Sequence, residues 1–141
     1  MINTRLACPS DIEALINLDP QSHTDMKRIT FITQAVHSGT CRLVESDGQL
    51  VGYGVFSHSF YQYGFIEMLY IHPAFRRRHL GTRLMRYLEG LCTTEKLFTS
   101  TNQSNTPSQR LMASMGYQPS GVIENLDEGD PELIYMKRLD R

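Results

Sequence analysis

Leu69-Tyr70-Ile71-His72-Pro73-Ala74-Phe75-Arg76-Arg77-Arg78-His79-Leu80-Gly81-Thr82 is the stretch that decides how this chain reads. The residues leading into it, Ile66-Glu67-Met68-Leu69-Tyr70-Ile71, form a strand candidate. Beyond it, Leu80, Leu84, Leu88 and Leu91 recur at helical spacing and predict an amphipathic helix over about 79–92. The stretch therefore joins a strand end to a helix start. Amides at a helix N-terminus lack intrahelical partners, and the helix dipole adds about half a positive charge there. Three consecutive arginines stand beside that terminus, and Gly81 lets a ligand come close to the backbone. A phosphate is the natural occupant of such a place. The plain alternative is a basic surface loop ahead of an ordinary helix, since a Gly-plus-Arg pattern alone is weak evidence.

Working outward, a strand at Lys96–Thr101 precedes a helix at Ser104–Met115, with Gly116 as its C-terminal cap. Strand, helix and strand over residues 63–101 make a crossover unit, so part of the sheet should be parallel. Upstream lie strand candidates Cys41–Glu45, Leu50–His58 and Tyr63–His72, joined by the turn Ser46-Asp47-Gly48-Gln49 and an aromatic loop; they read as an antiparallel meander. The N-terminal part offers a strand at Ile2–Cys8 and a helix capped at Pro9-Ser10-Asp11 that stops at Asp19-Pro20. A second helix over Asp25–His37 ends at Gly39. Strands Tyr117–Asn125 and Glu132–Leu139 close the chain. The class is a mixed α/β or α+β sheet with helices packed on it, in a single domain over residues 1–141.

Composition narrows the function classes. With 40% hydrophobic and 21% charged residues the chain is neither a disordered tail nor a membrane span. Fourteen Lys+Arg against fifteen Asp+Glu leave a net charge of −1, which argues against a nucleic-acid binder. Cys8, Cys41 and Cys92 are odd in number and widely spaced, so reduced thiols and a cytoplasmic location are expected. No signal-peptide pattern opens the chain. Scattered histidines such as His58 and His72 lack metal-ligand spacing, so no metal is expected.

These residues make the sequence resemble the GCN5-related N-acetyltransferases. That family's acyl-CoA signature is Arg or Gln, two residues, Gly, one residue, then Gly or Ala, preceded by a strand and a proline. Arg76 takes its first position and Gly81 its last, with Pro73 and the strand in place. Downstream, Asn105, Leu111 and Met115-Gly116-Tyr117 are similar to the family's Asn, helix and closing Gly-aromatic pair. The resemblance covers nearly the whole chain. It implies a mostly antiparallel sheet of about seven strands flanked by about four helices. It also implies transfer of an acetyl group from acetyl-CoA to a primary amine in a ternary complex. Leu69, Tyr70, Ile71, Arg76, Arg77, Arg78, His79, Leu80, Gly81, Thr82 and Asn105 would then bind the co-substrate. Asn105 also suits a helix cap.

Two positions depart from the family. His79 stands where the signature has its first glycine, which sets a Cβ on the pyrophosphate path. Met112 stands where many members carry a tyrosine thought to protonate the departing sulfur, and methionine has no proton to give. A thiol pKa of roughly 8.5 makes the thiolate a tolerable leaving group without that acid. The resemblance makes Glu67, on the strand that runs into the acyl site, the candidate general base, and the backbone N–H near Tyr70 or Ile71 the oxyanion donor, if the strand bulges there. The alternative for Glu67 is a polar residue on a solvated strand face.

For the acceptor, Asp127, Glu128 and Asp130, with Glu132, Asp19 and Asp25, offer an acidic rim that would draw a small cationic amine. A solvated polar turn is the alternative. Phe60-Tyr61-Gln62-Tyr63 adds an aromatic wall for an ammonium, or simply packs. A protein N-terminus or lysine is the second acceptor reading. A CoA-binding module without catalysis is the reading of another class, and an arginine patch for nucleic acid the remotest. No nucleic-acid or membrane partner is expected, and a homodimer is admitted.

Overall fold

The computed structural model describes residues 1–76 and 78–140; Arg77, one of the expected co-substrate residues, lies outside them. Seven strands and four α-helices follow in the order β1 (Ile2–Leu6), α1 (Ile12–Leu18), α2 (Met26–His37), β2 (Cys41–Ser46), β3 (Gln49–Phe60), β4 (Tyr63–Ile71), α3 (Leu80–Leu91), β5 (Lys96–Asn102), α4 (Thr106–Ser114), β6 (Gln118–Ile123) and β7 (Glu132–Arg138). Short 3-10 turns at Pro9–Asp11, Pro20–His23 and Pro73–Phe75 link some of them. The strands form one sheet in the order β1-β2-β3-β4-β5-β7-β6. β4 and β5 run parallel, pairing Gly64, Phe65 and Ile66 with Leu97, Phe98 and Thr99. The pairs β1–β2, β2–β3, β5–β7 and β6–β7 are antiparallel. The expected mixed, mostly antiparallel sheet is what the chain forms.

Local chemistry explains most of the boundaries. Asp25 begins α2 by accepting the Lys27 N–H at 2.9 Å. The β2–β3 hairpin turns through Asp47 (φ 50°) and Gly48 (φ 81°), the paired positive dihedrals of a type I′ turn. The expected aromatic loop is shorter than its sequence suggests. β3 runs on to Phe60, and only Tyr61 (φ 52°) and Gln62 (φ 73°) turn the chain. Asp11 does not cap α1 with its side chain; it accepts the Cys8 N–H at 2.8 Å and a two-pronged ion pair from Arg5 at 2.9 Å. That pairing holds its carboxyl well below the usual carboxylate range.

Two compact units emerge, one from Met1–Phe56 with Met68–Leu88, the other from Ser57–Glu67 with Glu89–Arg141. In the first unit, α1 and α2 close a core of Leu15, Ile32, Val36, Cys41, Leu43, Tyr53 and Val55. Burial lifts the Cys41 thiol to about 12, which keeps it a plain packing group. The other face of β3 carries Gly52 and Gly54. A Cβ at Gly54 would meet Leu88 Cδ1 at 2.9 Å and Leu84 Cδ2 at 3.4 Å, both from α3. A Cβ at Gly52 would meet Ile71 Cδ1 at 2.5 Å and the Tyr70 carbonyl at 2.6 Å. Leu80, Leu84, Met85 and Leu88 bury the apolar stripe of α3, each contributing about 1.5–3 kcal/mol.

In the second unit, β5 alternates strictly. Leu97, Thr99 and Thr101 are buried, while Lys96, Phe98, Ser100 and Asn102 are half-exposed. Thr99 Oγ1 donates to the Ile66 carbonyl at 2.9 Å beside the parallel ladder. α4 buries Met112, and Gly116 (φ 89°) reverses the chain after it. β6 is an exposed edge along its whole length. Among the described residues no helix is long and apolar enough to cross a membrane.

Gly52→Ala must displace the Tyr70 carbonyl, which is backbone and yields little. We expect a loss of about 1–3 kcal/mol, measured as a lower urea midpoint at unchanged slope.

Candidate active site

The strand-to-helix stretch belongs to the first unit. β4 ends at Ile71, and His72 Nδ1 accepts the Ala74 N–H at 3.1 Å, starting the turn Pro73–Phe75. Arg76 folds back: its Nε donates to the Ile71 carbonyl at 2.9 Å and its guanidinium lies 5.7 Å from the centre of the Tyr70 ring. The Arg78 guanidinium lies 5.1 Å from the Phe75 ring. Both arginines are exposed, so each guanidinium lies against an aromatic ring while keeping N–H donors towards solvent. Leu80 and Ile71 are buried, so any role for them towards a ligand falls to their backbone.

His79 has φ 58°, and its carbonyl accepts the Arg83 N–H at 3.0 Å, the first bond of α3. The left-handed conformation is what a glycine would adopt freely at this place. Histidine is among the side chains that tolerate it, at a cost of about 1–2 kcal/mol. The departure from the expected signature is thus one of side chain, with the backbone path kept.

Beside this stretch in the same unit sits a buried polar cluster that composition does not reveal. Asp19, 2% exposed, accepts from Tyr53 OH at 2.6 Å, from Arg28 Nη1 at 2.7 Å and from the Gln21 N–H at 3.1 Å. Burial, reinforced by Asp19, pushes the Tyr53 phenol far above its usual value. Asp19 is therefore an internal ion-pair partner and no part of an open acidic rim. Asp25 is spent on capping α2. The Tyr70 hydroxyl is buried with no hydrogen-bond partner among the described residues, and burial raises its pKa as well.

In the second unit Glu67 is exposed, and its Oε1 accepts from Ser57 Oγ at 3.1 Å and Ser59 Oγ at 3.4 Å. The two hydroxyls are 2.7 Å apart. Oε2 has no hydrogen bond among the described residues. The serines escaped the sequence reading; their Ser-x-Ser spacing on β3 was the available signal, but only strand pairing brings them to Glu67.

The other second-unit candidates are largely engaged. Asn105 Oδ1 caps α4 by accepting the Ser108 N–H at 3.2 Å, which leaves its amide Nδ2 as the donor for any ligand. Asp127 accepts from Asn102 Nδ2 at 2.9 Å, and Asp130 accepts from Ser104 N at 3.0 Å and Ser104 Oγ at 2.6 Å. Glu132 accepts from Ser100 Oγ at 2.7 Å. The acidic hairpin is thus substantially occupied in holding the start of α4 and the end of β5; Glu128 stays exposed. Tyr117 donates to Glu89 Oε2 at 2.6 Å, and burial pushes its phenol far up. Among the described residues, no group of three or more His, Cys, Asp or Glu side chains is placed to hold a metal ion.

A parallel β4–β5 pair inside a mostly antiparallel sheet, with α3 leaving β4 through an arginine-flanked turn, defines an acyltransferase architecture. The acetyltransferase (GNAT) family matches residues 9–117, and the chain belongs to that family. It is an acetyl-CoA-dependent N-acetyltransferase. It is similar to a GNAT-family acetyltransferase from Bacillus cereus ATCC 10987, with 30% identity, a TM-score of 0.89, and coverage of 100% of this chain and 99% of that one. The fold also matches a putative acetyltransferase, yncA, from Salmonella typhimurium, solved with its cofactor acetyl-CoA (19% identity, TM-score 0.74, coverage 100% and 95%). A third likeness is to the ribosomal-protein-S18-alanine N-acetyltransferase of Escherichia coli (15% identity, TM-score 0.81, coverage 100% and 96%). No curated protein matches.

His79→Gly should relieve the left-handed strain and raise stability by about 1 kcal/mol, read by denaturant unfolding, while CoA binds at least as tightly in calorimetry. His79→Val, β-branched at the same dihedral, should weaken both.

Proposed function

We propose that this single N-acetyltransferase domain transfers the acetyl group of acetyl-CoA to a primary amine, with Glu67 as the general base. The observation that carries the reading is the Glu67 carboxylate: two serine hydroxyls hold one oxygen, and the other is left as proton acceptor. An amine with a pKa of about 10.4 is neutral in about one molecule in 2,500 at pH 7, and reaching that form costs about 4.6 kcal/mol. A positioned carboxylate lowers that barrier by taking the proton as the nitrogen attacks.

For the co-substrate, the supporting donor set is the first-turn amides of α3, the dipole of a twelve-residue helix, and the guanidiniums of Arg76 and Arg78. These suit the phosphates of acetyl-CoA, and Gly81 in that first turn has no Cβ to hinder a close approach. When bound, acetyl-CoA supplies an activated acetyl thioester; the chain's own part is to bind, orient and take up a proton. The oxyanion role stays with the backbone N–H of Tyr70 or Ile71. Met112 is buried in the core and supplies no acid.

The acceptor is an amine arriving as its ammonium, which Glu67 attracts. The likeness to the Escherichia coli S18-alanine enzyme keeps a protein N-terminus beside small amines among the candidates. Catalysis separates this reading from a CoA-binding module that has lost turnover.

Glu67→Gln keeps the side-chain shape and removes the proton acceptor. The rate at neutral pH should fall at least about tenfold, with the KM for acetyl-CoA nearly unchanged. The deficit should shrink as pH approaches the amine's own pKa. Parallel pH–rate profiles, with the loss confined to the amine KM, would reassign Glu67 to acceptor binding. Unchanged kinetics would return it to the solvated strand face.

A further inference from the structure

One sheet face in the second unit carries more than Glu67. Along β4, Gly64 and Ile66 are buried, whereas Phe65 is half-exposed and Glu67 exposed, so Phe65 and Glu67 share the outer face. Along β5, Leu97 and Thr99 are buried and Phe98 is half-exposed. The parallel register sets Phe65 beside Phe98. Phe60, from the end of β3, stacks on Phe65 at 4.8 Å with 20° between the ring planes, and lies 5.0 Å from the Phe98 ring. Three rings from three neighbouring strands thus form one platform. They are only half-buried, unlike the fully buried side chains of the core. Tyr63, 37% exposed, meets Phe98 at 5.7 Å.

The charges at the two ends of this platform have opposite sign. Glu67 stands at one end, two residues along β4 from Phe65, a rise of about 7 Å. Lys96 stands at the other, its Nζ 5.7 Å from the centre of the Tyr63 ring. A cation fits the Glu67 end. A second cation further along the same molecule would meet Lys96 and is repelled.

We propose that this face is the acceptor site and that the acceptor is a monoamine with an apolar, preferably aromatic, group a few bonds from its nitrogen. The ammonium sits at Glu67, and the apolar body lies on Phe60, Phe65 and Phe98. Extended polycations are disfavoured. The inference rests on acetyl transfer at Glu67 and adds the class of molecule transferred to. Two sources offer this chemistry, a free arylalkylamine and a peptide with an aromatic first residue.

The test measures CoA release from acetyl-CoA by the intact protein with 2-phenylethylamine, propylamine and spermidine, and with tripeptides beginning in phenylalanine or glycine. The expected result is that kcat/KM for 2-phenylethylamine exceeds that for spermidine at least about tenfold. Phe98→Ala and the milder Phe65→Leu should lower the ratio of 2-phenylethylamine to propylamine severalfold. Because each ratio is taken within one preparation, a partly unfolded variant leaves it unaffected. A preference for spermidine, or ratios unmoved in both variants, overturns the proposal. Glu67→Gln should depress all amines together at a constant ratio. If it changes nothing, the base reading fails while the ratios still judge the platform. If no amine is acetylated, calorimetry with 2-phenylethylamine decides, and absence of binding overturns the proposal. The tripeptide arm distinguishes the two sources: preference for the phenylalanine peptide over 2-phenylethylamine assigns the site to peptides, the reverse to free amines.

Discussion

Two hydrogen atoms stand where other strands carry side chains, and the first unit is arranged around them. Gly52 lets β3 approach the Tyr70 carbonyl and Ile71 on β4, and Gly54 lets it approach Leu88 on α3, at distances a Cβ would not keep, with Leu84 of α3 in tight contact beside them. α3 therefore settles directly on the strand, and its buried leucines fix its rotation. Once that rotation is set, so is the direction of its N-terminal amides. The positive end of the helix is aimed by packing, and the arginine turn merely arrives there. The same glycine face leaves the opposite face of β3 to Tyr53 and Val55, which α1 and α2 cover.

Against this apolar packing the unit tolerates one costly polar group. Asp19 is removed from water, and its oxygens accept from an arginine, a tyrosine hydroxyl and a backbone amide. Such an arrangement returns little net stability, because desolvation consumes most of the Coulombic gain. It does make the approach of α1 to α2 highly specific, since moving any partner strands a buried charge. An acidic residue that composition offers to a cationic ligand thus serves the scaffold.

His79 illustrates how a motif survives the loss of its most constrained residue. The demand this position makes is conformational: a left-handed residue turns the chain into α3. Histidine can pay that local cost because Leu80, buried immediately after it, holds the helix start in place. The backbone geometry is retained, and a titratable ring is added at an exposed position.

Sequence alone determined the order of elements, because each element is written in local chemistry. The leucines of α3 recur at helical spacing, Asp47-Gly48 demands a tight hairpin, and a strand–helix–strand run requires a parallel pair. The phosphate loop was legible for the same reason: a helix start, its arginines and Gly81 are contiguous. Boundaries slipped by a residue or two where tertiary pairing outweighs local preference, as at Phe60, drawn into β3 by its stacking on Phe65. What the sequence could not assign was the use of each carboxylate. Asp19, Asp127 and Asp130 looked alike as acidic candidates until folding gave them partners nine to thirty-four residues away. Glu67 acquired Ser57 and Ser59 in the same way. Hydrogen-bond partners across strands are set by register, and register is a property of the assembled sheet, fixed by the burial of one face and invisible to any window of contiguous residues.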